Sequence, residues 1–336
     1  SSLLGVLNAT ARADKNHDAL CTGRKGVAES TSMMPKAANT PNRPSKKKKV
    51  TVLALPNMMM TTVAAPIDVF CSVGVLDTRI RGEEPNPKFE VSLVSFDGSP
   101  IRCQGGFQVI PEGTYDSVKE TDLIMVPGLR KYEGDEKQLP ILAEWMREMN
   151  SRGTHLAGIC TGSFLIAATG LLDGKTATTH WAVIDQFRER FPKVRLEPRR
   201  IITDEGDLFC SGGVDAGVDL CLHLVKKYFG HAPARDCSRM MVHDFGRQSQ
   251  SPYEIIDTPR VHGDDRIREI ESYVRKSFTN PLSIEELARR AGMSQRNFER
   301  TFKSATGETP VKYLQSLRVE AAKRRLETSE ETFEQI

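Results

Sequence analysis

The sequence HLAGICTGSFLIAATGLLDG, from His155 to Gly174, decides the fold of the surrounding chain. A short apolar run leads into a glycine-flanked cysteine, and apolar residues at helical spacing follow, which predicts a strand, a sharp turn and a helix. Gly158 and Gly162 lie two positions before and after Cys160, as a strained strand-to-helix elbow requires. At the start of a helix, the macrodipole favours the thiolate of Cys160. The alternative interpretation is a small buried residue at a strand-to-helix junction.

Strand and helix patterns alternate on both sides of this elbow. Apolar β-branched runs predict strands, and apolar residues three and four positions apart predict helices. The predicted strands are 50–55, 89–95, 122–126 and a pair across 199–210, with a hairpin or bent strand at 101–110; the predicted helices are 62–76, 137–150 and 214–228. This alternation indicates a mostly parallel sheet covered on both faces. Asn57, Gly128 and Cys160 each follow a strand, so we expect them to converge in a crevice at the carboxyl ends of the strands.

Charge is unevenly distributed along the chain. The 336 residues are enough for two domains, and the overall formal charge of +3 is small. Residues 289–325, however, contain ten Lys or Arg and three acidic residues, a local balance of +7 (10 − 3). An anionic partner, double-stranded DNA, is the natural inference for this segment.

Cysteine usage and hydropathy exclude several classes of protein. Seven cysteines, an odd number without any Cys-x-x-Cys pair, fit neither a disulfide framework nor a zinc site. We therefore expect no metal, no cofactor and a reducing cytoplasm. The most apolar window, 50–76, is interrupted by prolines and polar residues, and residues 1–48 lack an apolar signal segment, so neither a membrane span nor secretion is predicted. We interpret residues 1–48 as a disordered leader.

Two closely spaced helix signals lie in the C-terminal segment. Ser283 and Ser294 are predicted helix caps, and Gly292 is predicted to end the first helix. Phe298 and Phe302 share one face of the second helix and are predicted to point inward. The residues predicted to contact DNA from its outer face are Gln295, Arg296, Asn297, Glu299, Arg300 and Lys303. This is the pattern of a helix-turn-helix, with Arg296 and Arg300 reaching guanine edges and Lys303 a phosphate. The alternative is a structural helical hairpin with a solvated charged face.

A partial repeat extends this pattern. Residues 332–336 copy the cap, apolar and acidic pattern of residues 283–287, and Thr309 with Pro310 is predicted to open a long helix through Leu326 between them. We expect a second helix-turn-helix unit that begins at Thr332 and is cut short at Ile336. The predicted organisation is an α/β domain at 49–244, a polar linker at 245–263 and a helical domain at 264–336.

Three segments resemble a known family: VPGLR at 126–130, AGICTGSFLIAATGLLDGKTATTHW at 157–181 and LFCSGGVDAGVDLCLHLVKKYFG at 208–230. They are similar to the amidase-like domain of GlxA-type regulators, AraC/XylS family members whose N-terminal half belongs to the PfpI/glutamine amidotransferase superfamily. The resemblance implies an α/β fold, a flavodoxin-like parallel-sheet sandwich, followed by an all-α helix-turn-helix domain. It also implies a sequence-specific transcriptional regulator in the bacterial cytoplasm, on the nucleoid when bound to DNA, and a homodimer formed through the N-terminal domain.

Catalysis at the elbow would need a base and an oxyanion hole. The backbone amides of Thr161 and Leu129 are candidates for the hole, and His180 is the candidate base. Amidotransferase relatives use a later His-x-Glu pair and peptidase-like relatives place a histidine directly after the cysteine, where this chain has Thr161. The segment around Asp68 resembles a family segment in which a longer glutamate is common.

These departures favour binding of a small nitrogenous metabolite over its turnover. The candidate catalytic residues are Cys160, His180 and Asp68, and the predicted ligand-binding residues are Asn57, Asp68, Gly128, Leu129, Cys160, Thr161, His180 and Trp181. The alternative function is that of a cysteine-dependent hydrolase or hydratase of the isonitrile hydratase or amidase type.

Overall fold

The computed structural model describes residues 46–130, 138–244, 246–250, 253 and 264–336. Most of the predicted leader and most of the predicted linker therefore lie outside the described residues.

The strands are β1 Lys48–Leu53, β2 Phe89–Ser95, β3 Ile101–Arg102, β4 Gln108–Val109, β5 Gly113–Thr114, β6 Leu123–Val126, β7 His155–Ile159, β8 Thr176–Ala177, β9 Arg195–Leu196, β10 Ile202–Asp204 and β11 Leu208–Ser211. The helices are α1 Thr61–Ser72, α2 Leu76–Ile80, α3 Gln138–Ser151, α4 Gly162–Ala168, α5 Ile184–Arg190, α6 Ala216–Phe229, α7 His231–Met240, α8 Asp265–Ser277, α9 Ile284–Arg290, α10 Gln295–Thr306 and α11 Pro310–Thr328.

Seven strands form one sheet in the order β10-β11-β7-β6-β1-β2-β5. All neighbouring strands are parallel except β10 and β11. The central strand β6 has the sequence LIMV and is buried along its whole length, as expected for a strand covered on both faces. The predicted mostly parallel sheet is confirmed, as is the hairpin, which consists of antiparallel β3 and β4.

Successive residues of β7 show how the two helical layers are separated. A Cβ added to Gly158 would meet Ser163 and Ile166 of α4, whereas the side chain of Ile159 lies against Gly217 of α6. Because alternate residues of a strand face opposite sides, α4 and α6 cover opposite faces of the sheet. The carboxyl end of β7 therefore emerges between both layers.

Several predicted boundaries are shifted by one to four residues, among them those of the first strand and the first helix. The first strand begins at Lys48 and ends at Leu53, rather than running from 50 to 55. The helix predicted over 62–76 ends at Ser72, and a separate helix begins at Leu76. Gly74 breaks it, because its φ of 74° is unfavourable for other residues and a Cβ there would overlap the carbonyl oxygen of Asn86.

The helices α8 to α11 enclose a second hydrophobic core. Its fully buried aromatic side chains are Phe298, Phe302 and Tyr313. Thr309 caps α11 and Pro310 occupies its first turn, as predicted. A short 3-10 turn at Phe333–Gln335 carries a complete capping box with Thr332, which matches the predicted helix start. Within the described residues, none of the helices combines the length and apolar character needed to cross a membrane.

Candidate functional site

Cys160 occupies a strained elbow between β7 and α4. Its φ is 57°, in the left-handed region that costs a residue other than glycine free energy. A Cβ at Gly162 would overlap the carbonyl oxygen of Val126, and one at Gly158 would lie 2.8 Å from the amide nitrogen of Ser163. Both flanking glycines are therefore required by close backbone contacts, and the predicted elbow is confirmed.

The backbone of Cys160 is tied to two neighbouring segments. Its amide donates to the carbonyl oxygen of Ser211 at 3.1 Å, and its carbonyl oxygen accepts the hydroxyl of Thr179 at 3.2 Å. Gly128 closes the third side, because a Cβ there would lie 3.1 Å from the Cβ of Cys160. The ends of β6, β7 and β11 and the segment that follows β8 therefore meet around Cys160, where the crevice is predicted.

Burial controls the chemistry of the Cys160 thiol. The residue is 4% exposed, and desolvation raises the pKa of its thiol to about 11, although hydrogen bonds with the backbone and side chain of Thr161 act in the opposite direction. The expectation that this position would favour the thiolate is wrong, because the loss of hydration disfavours the charged form more strongly than the hydrogen bonds from Thr161 favour it. The thiol is therefore neutral at physiological pH.

The proposed oxyanion hole is partly occupied by the protein itself. The amide of Leu129 donates to the hydroxyl oxygen of Thr161 at 2.6 Å, and that hydroxyl donates to the carbonyl oxygen of Leu129 at 2.7 Å. Because the Leu129 amide already has a buried acceptor, the expectation that it stabilises an oxyanion is wrong for this conformation. Thr161 instead fastens the segment after β6 to the start of α4.

His180 lies beside Trp181 and directly follows Thr179, the residue bonded to the Cys160 carbonyl oxygen. Its Nδ1 accepts the amide of Ala182 at 3.0 Å, and its ring centroid is 5.1 Å from that of Trp181. Burial lowers the pKa of His180, which favours the neutral imidazole. Because Nδ1 accepts a hydrogen bond, the neutral ring carries its proton on Nε2. This nitrogen faces Gly213, since a Cβ added to that glycine would lie 3.7 Å from it. In this tautomer His180 can donate a hydrogen bond, but it has no free lone pair with which to act as a base.

The other predicted ligand-binding residues separate into two groups. Asn57 lies in a turn with φ of 61°, and its carbonyl oxygen accepts the amide of Arg130 at 3.3 Å, which places it next to the segment that contains Gly128 and Leu129. Asp68 is exposed and lies about 9 Å along α1 from Thr62, the residue that contacts Gly128. Asp68 therefore faces solvent, and its part in the site stays a prediction.

Gln250 lies against the crevice wall although nothing in its local sequence indicates this. It is 3% exposed, and its Nε2 donates to the carbonyl oxygen of Thr179 at 2.8 Å and to that of Pro198 at 2.6 Å. A Cβ at Gly212 would lie 2.5 Å from its Oε1. The two hydrogen bonds join positions more than 50 residues apart, so they could not be inferred from a polar linker sequence.

The second candidate site is the outer face of α10. Ser294 caps the helix by accepting the amide of Asn297 at 3.4 Å, and Gly292 turns the preceding chain with φ of 66°. All the residues predicted to contact DNA are exposed: Gln295, Arg296, Asn297, Glu299, Arg300 and Lys303. The opposite face of the helix is anchored in the second core by Phe298 and Phe302. This is the geometry of a recognition helix that presents one polar face to a groove.

No group of three or more His, Cys, Asp or Glu side chains in the part of the chain that the structure describes has the arrangement needed to hold a metal ion. The six cysteines in these residues are all free thiols, of which only Cys71 is exposed.

Comparisons with known proteins agree with this division into two parts. The DJ-1/PfpI family matches residues 48–227, and a helix-turn-helix domain matches residues 287–336. The HTH-type transcriptional regulator CdhR of Pseudomonas aeruginosa is 30% identical over 235 residues, 70% of this chain and 69% of that protein. Isonitrile hydratase of Pseudomonas putida is 28% identical over 219 residues, 62% of this chain and 86% of that enzyme. A solved THiJ/PfpI family protein from Pseudomonas syringae is similar in fold, with a TM-score of 0.50, 18% identity and coverage of 78% of this chain and 98% of that one.

A parallel-sheet domain with a cysteine elbow, followed by a helix-turn-helix, defines a DNA-binding transcriptional regulator with a sensor-like first domain. The chain belongs to the DJ-1/PfpI family and carries an AraC-type helix-turn-helix domain at its C-terminal end. The resemblance inferred from residues 126–130, 157–181 and 208–230 is therefore confirmed.

Proposed function

We propose that this protein binds specific DNA sequences through α10 and that the crevice beside Cys160 binds a small nitrogenous metabolite without transforming it. The observation that carries the DNA-binding part is the division of α10 into two faces. Phe298 and Phe302 are fully buried on one face, and every polar side chain predicted to meet DNA is exposed on the other. A rigidly held helix with a polar outer face can enter a major groove without reorganisation.

Two hydrogen-bonded pairs organise this outer face. Gln295 donates to Glu299 at 2.9 Å, and Arg300 donates to Asn297 at 2.9 Å. Arg296 is the arginine of this helix that makes no hydrogen bond or ion pair with any described residue, so its guanidinium is available for a bidentate contact with guanine. We propose that Arg296 reads a base, that Arg300 is held toward the groove by Asn297 and that Lys303 contacts phosphate.

The crevice is suited to recognition more than to nucleophilic catalysis. The Cys160 thiol is neutral, so it is not an activated nucleophile. The Leu129 amide is already hydrogen-bonded, and the His180 ring can only donate, so neither an oxyanion donor nor a base is available. The same groups, with the neighbouring ring of Trp181, offer one hydrogen-bond donor, a polarisable sulfur and an aromatic surface. A compact nitrogen-containing molecule can use all three.

Two further proposals follow from the family. We propose a homodimer through the first domain, because a symmetric dimer would present two copies of α10 to two half-sites of DNA. We also propose a cytoplasmic location, which the free thiols of the described residues support.

Replacement of Arg296 tests the proposal for DNA binding. The Arg296→Ala protein should bind its cognate promoter fragment about 1–3 kcal/mol more weakly, since one bidentate base contact is lost, while binding of random duplex weakens much less. Fluorescence anisotropy with both duplexes at a fixed salt concentration measures the difference. Arg152→Ala, which replaces an exposed arginine directly after α3, is the control, and an equal loss in both proteins would contradict the assignment.

A cysteine-dependent hydratase or hydrolase is the second candidate, and the similarity of the first domain to an isonitrile hydratase favours it. The Cys160→Ala protein discriminates the two functions. Under the regulator proposal it keeps full DNA affinity and at most responds differently to a metabolite. Under the enzyme alternative the native protein consumes a nitrile-like or amide compound and the variant does not.

A further inference from the structure

Two arginines of the first domain lie against the turn that ends α10. Arg199, which follows β9, forms an ion pair with Glu308, whose side chain is 10% exposed. Arg188 of α5 faces Gly307, because a Cβ on that glycine would lie 3.1 Å and 3.2 Å from its two terminal guanidinium nitrogens. The turn Thr306–Glu308 is therefore held between two cationic side chains that are distant in sequence.

The chemistry of this turn explains why arginines suit it. Gly307 has φ of 77° and ends α10, so its neighbourhood carries the partial negative charge of the helix C-terminus. The carboxylate of Glu308 adds a full negative charge beside it. Thr306 is buried and donates to the carbonyl oxygen of Phe302 at 2.8 Å. This turn is continuous with α10 and is hydrogen-bonded to the buried face of that helix. A displacement of the turn therefore also displaces α10.

Both arginines belong to the chain segment that forms one wall of the crevice. Near the start of segment 178–200, Thr179 donates to the Cys160 carbonyl oxygen, and the chain continues through His180 and Trp181 into α5. Arg188 lies on α5, and Arg199 lies at the end of the same segment. This one chain segment therefore contacts the elbow through Thr179 and the DNA-binding domain through Arg188 and Arg199.

Gln250 fixes this segment internally. Its amide joins Thr179 at the crevice end to Pro198 beside Arg199. Its Oε1 is buried and has no hydrogen-bond partner among the described residues. The chain around it is also attached to the first domain, since Arg247 donates to the buried Asp219 at 3.2 Å. A movement of Thr179 on ligand binding would therefore be passed to Pro198, because a fully buried amide cannot exchange its partners for water.

We infer that segment 178–200, braced by Gln250, couples occupancy of the crevice to the orientation of α10 through Arg188 and Arg199. The inference rests on the proposed function, because it states how the crevice would regulate DNA binding. Coupling between two sites is reciprocal. If a change in segment 178–200 alters DNA binding, then DNA bound to α10 must in turn alter segment 178–200. This effect of DNA on the segment can be measured without an identified metabolite.

Trp181 provides the reporter for such a measurement. The chain has two tryptophans, so Trp145→Phe leaves Trp181, on the crevice wall, as the single tryptophan. The probe is a random-sequence duplex of about three helical turns, roughly 30 base pairs, added at low salt. Its binding is followed independently by the anisotropy of a fluorescein label. We expect saturation with this duplex to change the emission intensity of Trp181.

Charge reversal tests whether the signal travels through the inferred contact. In the same background, Arg199→Glu should abolish the emission change while the duplex still binds, because Arg199 lies outside α10. The double variant Arg199→Glu with Glu308→Arg restores an ion pair of opposite polarity and should recover the change. Native circular dichroism and thermal unfolding of each variant verify that the fold is intact.

Four results would overturn the inference. If the duplex binds and Trp181 emission stays constant, the crevice and α10 are not coupled. If Arg199→Glu retains the full change, or if the double variant fails to recover it with the fold intact, the signal does not pass through Arg199 and Glu308. In these cases the proposed DNA binding still stands. If neither random duplex nor any promoter fragment binds, the proposed function fails and the inference falls with it.

Discussion

The reactivity of Cys160 toward an alkylating reagent separates a sensing crevice from a catalytic one. Only the thiolate reacts at an appreciable rate, and burial raises the pKa of this thiol from 9.0 to about 11. The rise corresponds to about 100-fold less thiolate at neutral pH. The exposed fraction of 4% reduces access further. We therefore expect iodoacetamide to modify Cys160 at least about 100-fold more slowly in the native protein than in the urea-unfolded chain.

The measurement follows each cysteine separately. Peptide mass spectrometry after timed alkylation gives a rate constant for Cys160 and, in the same sample, for the exposed Cys71. The pKa of Cys71 is also raised, by partial burial and by the charge of Asp68, so the unfolded chain is the better reference for absolute rates. Between pH 7 and 9 the rate at Cys160 should increase about tenfold per pH unit without reaching a plateau, since this range lies below its pKa.

A fast reaction at Cys160 would refute this reasoning. If its rate exceeds that of Cys71 and reaches a plateau near neutral pH, the thiolate is already formed in the native protein. The N-terminus of α4 would then outweigh desolvation, and the hydratase or hydrolase alternative would become the better account of the first domain. A Cys160→Ser protein, which should lose the corresponding modified peptide and nothing else, verifies the assignment.

Two packing predictions test the fold at its two cores. Phe302→Ala should reduce the free energy of unfolding of the C-terminal domain by about 3–5 kcal/mol, because Phe302 is fully buried against Phe298 and Tyr313. Urea denaturation measures this change. The control is Phe333→Ala, at an 80% exposed position, which should change the free energy of unfolding by less than about 0.5 kcal/mol. Gly162→Ala should destabilise the first domain by roughly 1–3 kcal/mol, since its Cβ would lie 2.8 Å from the carbonyl oxygen of Pro127; an unchanged denaturation midpoint would contradict the elbow geometry.

Much of the fold was predictable because its signals are local. The glycines around Cys160 are required by backbone contacts within one strand-to-helix turn, and the caps Ser283 and Ser294 satisfy amides three residues away. Helix ends were less predictable. Gly74 terminates α1 because of contacts with Asn86, twelve residues further along, and apolar periodicity alone does not register such a contact.

The candidate site depended more on distant contacts. Gly128, Leu129 and Thr161 were correctly predicted to lie near Cys160, because carboxyl ends of parallel strands meet at one edge of a sheet. The sequence could not show that Thr161 would occupy the Leu129 amide. It also could not show that Asp68 would face solvent, because one residue of error in the phase of a helix moves a side chain by about 100°.

The amino-acid sequence by itself determined the order of the elements, the elbow at Cys160 and the two faces of α10, because each depends on residues a few positions apart. Only the tertiary structure decided the protonation of the Cys160 thiol, the burial of Gln250 and the ion pair between Arg199 and Glu308. These depend on desolvation and on contacts between residues as far as 109 positions apart. Desolvation is a property of the assembled core, so it has no counterpart in any short segment of the chain.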